Sequence, residues 1–261
     1  MIFAVTKLDI KSINQSQKLI FVPKTVAMPD LSIFGTVSFI KSQRAGRITV
    51  RILNGSLRVS LPPRSTQGEA TLWLIENRDL ILRKQEKMKK RQHQLLITDE
   101  SGLETHTFSV KVQKAARDNV HFRLKDDLLT IEYPADADIK SEKLQKICWD
   151  GIRYFLKKDA QRILPVRLAE LAAKHQFQYK NLKIQSGKTR WGSCSGKQNI
   201  NLSVYLMLLP QHLIDYVILH ELCHTREMNH GDKFWKQMDA VTNGKTNQLR
   251  REMKKHHIPE N

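Results

Sequence analysis

At 261 residues the chain is long enough to bury a real core, and it reads as two domains rather than one. Hydrophobic residues make up 40% and charged residues 27%, values that exclude a disordered or membrane-embedded chain and leave the chemistry open. The 44 Lys and Arg against 26 Asp and Glu give a formal charge of +18, a field that attracts anions.

The segment 1–33 shows no clean periodicity, and Pro23 and Pro29 mark it as an irregular N-terminal extension. Its opening run MIFAVTKLDIKS is apolar for too short a stretch to be a signal peptide, and no segment reaches the ~18 apolar residues of a membrane helix. From Thr36 the pattern turns to strands: TVSFI, RITVRIL and SLRVSLP, with Asn54-Gly55 as the turn of a hairpin between the last two. Residues 65–91 are expected to form one long helix, capped by Ser65 or Thr66, with Leu72, Ile75, Leu80 and Leu82 on its apolar face. Further strands are expected at QLLIT, THTFSVKV, NVHFRL and LLTIEYP, with a turn at Asp126-Asp127 and a stop at Pro134.

A domain boundary is placed near residue 135, where the apolar spacing becomes helical at Leu144, Ile147, Ile152 and Phe155, then Val166, Leu168, Leu171 and Ala172. The reading is thus a β-rich region with one long helix over 34–135 and a metal-dependent hydrolase domain over 136–261. Short strands are expected at LKIQS (182–186) and NINLSVYL (199–206), after which Pro210 opens the helix that carries HELCH, His220 to His224.

Residues four apart on a helix lie one turn above each other, so His220 and His224 present two imidazoles to one metal ion. Leu213, Ile214, Val217, Ile218 and Leu222 make that helix a core element, rigid enough to hold ligands. Glu221 beside the first histidine fits a general base acting on a metal-activated water. A catalytic zinc site needs a third protein ligand, and His230 is chosen. Six more helical residues would rotate it by roughly 240° away from the others, so the helix must end first. Asn229 and Gly231, which tolerate left-handed backbone, are expected to supply the turn. One catalytic zinc ion is the expected cofactor, three imidazoles favouring it over other divalent ions.

These residues, with KTRWGSCS at 188–195, NINLS at 199–203 and NHGDKFW at 229–235, resemble the YgjP-like (WLM-related) zinc metallopeptidase family. The likeness covers about residues 36–245, including the hairpin segment RAGRITVRI. It implies an α+β fold: a β-rich N-terminal region followed by a zincin-like α+β metallopeptidase domain with an HExxH active-site helix. It also implies His220, His224 and His230 as ligands, Glu221 as base, and a peptide or protein substrate. By the same resemblance, Trp191, Gly192, Ser193 and Cys194 belong near the cleft. The spacing is also similar to that of metzincins, but Glu227 stands where they place glycine and no Met-turn follows. A downstream glutamate, Glu252, ranks below His230 as a third ligand.

Other features read more plainly. Trp191 suits a core anchor as well as a cleft wall, and Arg190 a surface ion pair. Cys223 faces away from the ligand side and reads as a small buried hydrophobe; Phe234 and Trp235 pack the next helix onto the motif helix. His93, His106, His121, His175, His212, His256 and His257 lack a partner at metal spacing. Cys148, Cys194 and Cys223 form no CxxC pair, which suits a reduced, cytoplasmic setting. The basic runs at 83–91 and 250–255 read as solvated helix faces that support at most weak, salt-sensitive nucleic-acid association. Two alternatives to a peptidase share these features: a nucleoside triphosphate or other phosphoanhydride hydrolase, and a nucleic-acid-associated accessory protein with a structural metal. Nothing in the sequence sets an oligomeric state.

Overall fold

A computed structural model describes residues 7–8, 30–53, 55–94, 96–100, 102–187 and 189–259. The chain divides into two compact units, Ala4–Leu95 and Leu96–Asn261 with Met1–Phe3. Strands and helices occur in both, so the fold is α+β as expected. Most of the expected N-terminal extension, residues 1–6 and 9–29, lies outside the described residues.

In the first unit, β1 (Lys7–Leu8), β3 (Thr49–Leu53), β4 (Ser56–Leu61) and β2 (Thr36–Lys41) form a sheet in that order. Strands β3 and β4 are the expected hairpin, with Leu53 opposite Ser56 and Gly55 at φ +66°, while Asn54 lies outside the described residues. Alternation buries Val50, Ile52, Leu57 and Val59 and leaves Arg51 and Arg58 opposite each other in solvent. The buried face packs with Phe34, Ala70, Leu74 and Ile81 into one core. Each such side chain contributes roughly 1.5–3 kcal/mol by leaving water.

The single helix expected over 65–91 is two: α1 (Gln67–Glu76) and α2 (Arg78–Gln94). Thr66 caps α1 in a full capping box with Glu69. Asn77 breaks the run, because its side-chain amide and its backbone N–H both donate to the Trp73 carbonyl, competing with helix continuation.

In the second unit, β5 (Leu103–Glu104), β6 (Ser109–Ala115), β8 (Leu128–Pro134) and β7 (His121–Lys125) form a mixed sheet in that order. The β7–β8 hairpin turns at Asp126 and Asp127, both left-handed. Two expected strands are corrected. Gln94 belongs to α2, and Ile97 is held by the Gln145 side chain, which takes its N–H at 3.0 Å and donates to its carbonyl at 2.7 Å. The THTFSVKV run starts as a strand only at Ser109, because the Thr105 hydroxyl accepts the N–H groups of Thr107 and Phe108 in a tight turn.

The change from strands to helices near residue 135 falls inside the second unit rather than between the units. Its physical reason is the 33-residue helix α3 (Glu142–Lys174), which packs on both sides of that point. Gln145 anchors Ile97, and Phe155 meets Phe108 edge-on at 6.4 Å. Leu144, Cys148, Ile152, Leu156, Ala160, Leu164 and Leu168 recur every four residues and are buried, giving α3 a continuous apolar stripe.

That stripe supports the rest of the unit. Strands β10 (Gly192–Cys194), β11 (Asn199–Ser203) and β9 (Asn181–Gln185) form a small sheet with β10 at its edge. A 3-10 turn over Val204–Leu208 leads to α4 (Gln211–Cys223), followed by α5 (Asp232–Val241) and α6 (Thr246–Met253). Nine of the residues of α4, including Leu213, Ile218 and Leu222, are buried, so the helix is core on nearly every side. Arg167 of α3 clamps its first turn with two 2.7 Å bonds to Asp215, and Gln211 bonds the same carboxylate. Among the described residues no helix is long and apolar enough to cross a membrane.

Candidate metal centre

The last turn of α4 supplies His220, Glu221 and His224. The helix ends one residue after Cys223, with His224 itself as its C-cap. Its final carbonyls are satisfied by a tightened turn, Thr225 N–H to Leu222 and Glu227 N–H to Cys223. The chain then curls through an exposed loop to His230, and Gly231 starts α5. The expected left-handed residue is not used here: Gly231 has φ −83°, and Asn229 is not left-handed. The spread of the reversal over Thr225–Gly231 removes the need for one.

The Nε2 atoms of the three histidines stand at the corners of a near-equilateral triangle, 3.2 Å from His220 to His224 and 3.1 Å from His230 to each. Nitrogens that share one tetrahedral zinc at ~2.0–2.1 Å are about 3.3–3.4 Å apart, so the donor set fits that ion. Among the described residues it is the one cluster of three potential ligands. The Nδ1 of His224 lies 3.0 Å from the Glu227 carbonyl, so it carries the proton and leaves Nε2 as the lone-pair donor. Glu227, at the position where metzincins carry glycine, thus contributes its backbone carbonyl and needs no left-handed geometry.

Aromatic rings brace the histidines. Phe234, fully buried at the start of α5, stacks on His224 at 4.5 Å, and Trp235 stacks on His230 at 5.6 Å while its indole N–H donates to the His230 carbonyl. Burial, the largest influence on each, pushes the His220 imidazole down to about 2, His230 to about 4, and His224 below its ordinary value. All three are neutral at physiological pH, the state a metal ligand requires.

Glu221 is 5% exposed, and burial pushes its carboxyl up to about 8. Its neighbour across the site is Gly192: a β-carbon there would lie 2.7 Å from the Glu221 Cγ and 2.8 Å from its Oε1. Only glycine lets strand β10 approach the carboxylate this closely. The sequence shows Gly192 near the cleft by resemblance alone, and nothing in its spacing points to Glu221.

A cavity of about 290 Å³ opens beside the histidines, lined by β10 with Trp191 and Arg190, by Tyr216 and Val217 of α4, and by Arg250 and Met253 of α6. Tyr216 could have been found from sequence, since it continues the His220 and His224 face by one turn toward the N-terminus. Arg250 could not, because its basic run reads as a solvated face. Trp191 proves both anchor and wall, 7% exposed and lining the cavity. Cys223 is buried and outside the ligand cluster. Glu252 bonds His212 at 2.7 Å and is likewise outside it.

No curated protein matches the chain. Two solved structures are similar to a part of it. The metallopeptidase zymogen abylysin of Pyrococcus abyssi is 21% identical, with 37% of this chain and all of that one covered, at a TM-score of 0.33. The zymogen jannalysin of Methanocaldococcus jannaschii is 23% identical, with 35% and 93% covered, at a TM-score of 0.32. The model of the YgjP-like metallopeptidase domain matches residues 46–256, a span that takes in the hairpin, the β10 segment and the whole histidine cluster. The chain belongs to the YgjP-like metallopeptidase family.

Proposed function

We propose that the chain is a zinc-dependent peptidase in which His220, His224 and His230 hold one zinc ion and Glu221 is the general base. The observation that carries this reading is the triangle of imidazole nitrogens, 3.1–3.2 Å on each side, next to a buried carboxylate. When bound, zinc would act as a Lewis acid on the scissile carbonyl and bring the acidity of water near neutrality, a pKa of about 7. Glu221 takes the proton from the attacking water and returns it to the leaving amine, a shuttle suited to a carboxyl whose proton affinity burial has raised. Gly192 keeps that carboxyl within a narrow range of positions. Strand β10 ends its sheet, so an extended peptide can pair along it as an added strand and lie across the histidines.

Elemental analysis of the purified protein should find one zinc per chain. Cleavage of a peptide library should fall by about 10²–10⁴-fold in Glu221→Gln with zinc retained, the usual contribution of a general base. A fully loaded wild-type site that cuts no peptide would sink the reading. Three free thiols, two of them buried, fit a reducing compartment, and we place the protein in the cytoplasm on that ground.

A further inference from the structure

Resting on the peptidase reading, the charge of the cavity narrows the substrate. Much of its wall is apolar, with Trp191, Val217, Met228 and Met253. Two arginines also line it, Arg190 just before β10 and Arg250 on α6, and Glu221 is the only carboxylate among the lining residues. Covering two cations and one acid favours an occupant that brings negative charge.

Arg250 is the better prepared of the two. It is half-buried, and its guanidinium carbon lies 4.9 Å from the centre of the Trp235 ring, which in turn stacks on His230. A guanidinium laid on an aromatic face is oriented in advance, so binding an anion costs it less freedom. The ladder Arg250, Trp235, His230 also fixes where that anion would sit, next to the metal ligands. Arg190 is exposed and adjoins the strand along which a peptide would pair. A polyphosphate suits this chamber poorly, since the remaining walls are apolar and no lysine lines it.

We propose that the cavity is a carboxylate-selecting subsite, in which Arg250, backed by Trp235, receives a carboxylate of the peptide substrate in a forked hydrogen bond and Arg190 adds a second cation. The carboxylate is either a free C-terminus or an acidic side chain, two sources with the same chemistry.

Three matched peptides test this: one with a free C-terminus and Asn at a central position, the same peptide amidated, and the amidated peptide with Asp for Asn. Affinities are measured by calorimetry on zinc-loaded Glu221→Gln protein, which removes turnover from the result. At least one carboxylate peptide should bind about ten- to a hundredfold more tightly than the neutral one, and the arm that does so identifies the source. Arg250→Gln should bring that ratio to about one. Arg250→Lys, which keeps the charge but not the fork, should lose most of the preference, and it serves if Arg250→Gln fails to fold. Equal affinities in the unmutated pocket, or a preference that survives both Arg250 variants, would overturn the proposal. So would tight binding of a nucleoside triphosphate that depends on Arg250 with no preference among the peptides. Failure of the peptidase reading looks different: the preference would be present in binding while protein with Glu221 intact cleaved none of the peptides.

Discussion

The two walls of the cavity are built in different ways. The ligand wall is one continuous stretch, from His220 to Trp235, aligned by the end of one helix, a short loop and the start of the next. The facing wall comes from elements remote in sequence, β10 on one side and α6 on the other, brought there by packing around α4. A wall set by local geometry holds the ion or fails to hold it. A wall set by tertiary packing modulates what happens beside the ion, and its defects should be graded.

Removing a ligand gives the largest expected effect on this contrast. His230→Ala should lower zinc affinity by more than the ~10–100-fold typical of losing a supporting partner, and hydrolysis should fall with it. Equilibrium dialysis against zinc checks this; undiminished affinity would place the ion elsewhere. On the facing wall, Gly192→Ala introduces a methyl group against Glu221. We expect kcat to fall about 10–100-fold, because small displacements of a catalytic group are costly, with zinc stoichiometry unchanged. The same overpacking should lower stability by ~1–3 kcal/mol in denaturant titrations. Wild-type kcat in that variant would show that Glu221 has room to spare and that the walls are not coupled.

The smallest effects are those of pH on the metal-free protein. Burial holds His230 down to about 4 and His220 to about 2 against an ordinary value of 6.5. Below 6.5 the unfolded chain therefore binds more protons than the folded one, and these histidines should make stability fall as pH falls through about 4. Glu221 acts in the opposite sense. Raised to about 8 from 4.5, it makes the folded chain the better proton binder between those values, so its contribution is lost as pH rises toward 8. Melting temperatures of metal-free wild type and Glu221→Gln, compared from about pH 4 to about pH 9, should diverge on the alkaline side, where only the wild type declines. Parallel curves would mean that Glu221 is better solvated than its burial indicates.

What the chain discloses in advance follows the same division. The capping box at Thr66 and Glu69, the hairpin around Gly55 and the histidine spacing are all encoded within a few residues, and each is legible. The break at Asn77 is local too, but it depends on a side chain outcompeting its own backbone, which apolar periodicity does not register. Extended Ile97 looks like a strand and is not one, because its hydrogen-bond partner is Gln145, far along the chain. Gly192 and Arg250 matter through contacts with Glu221 and Trp235 that no spacing rule connects. The apolar stripe of α3 is legible in part: its two ends show helical spacing, and their union across Pro165 into one helix is visible only in the packed molecule.

The contrast in exposure between the end of α4 and the loop that follows it has a consequence for how the site assembles. His220 and His224 ride on a helix that is core in its own right, whereas Arg226 and Met228 to Lys233 are exposed. Two of the three donors are therefore fixed by folding, before any ion arrives, and the ion has only one short surface loop left to draw in. Closing so short a loop costs little chain entropy. Chelation and reloading should then be a local opening and closing of residues 225–231, visible as a change in amide-exchange protection confined to that loop, with the helical scaffold left intact.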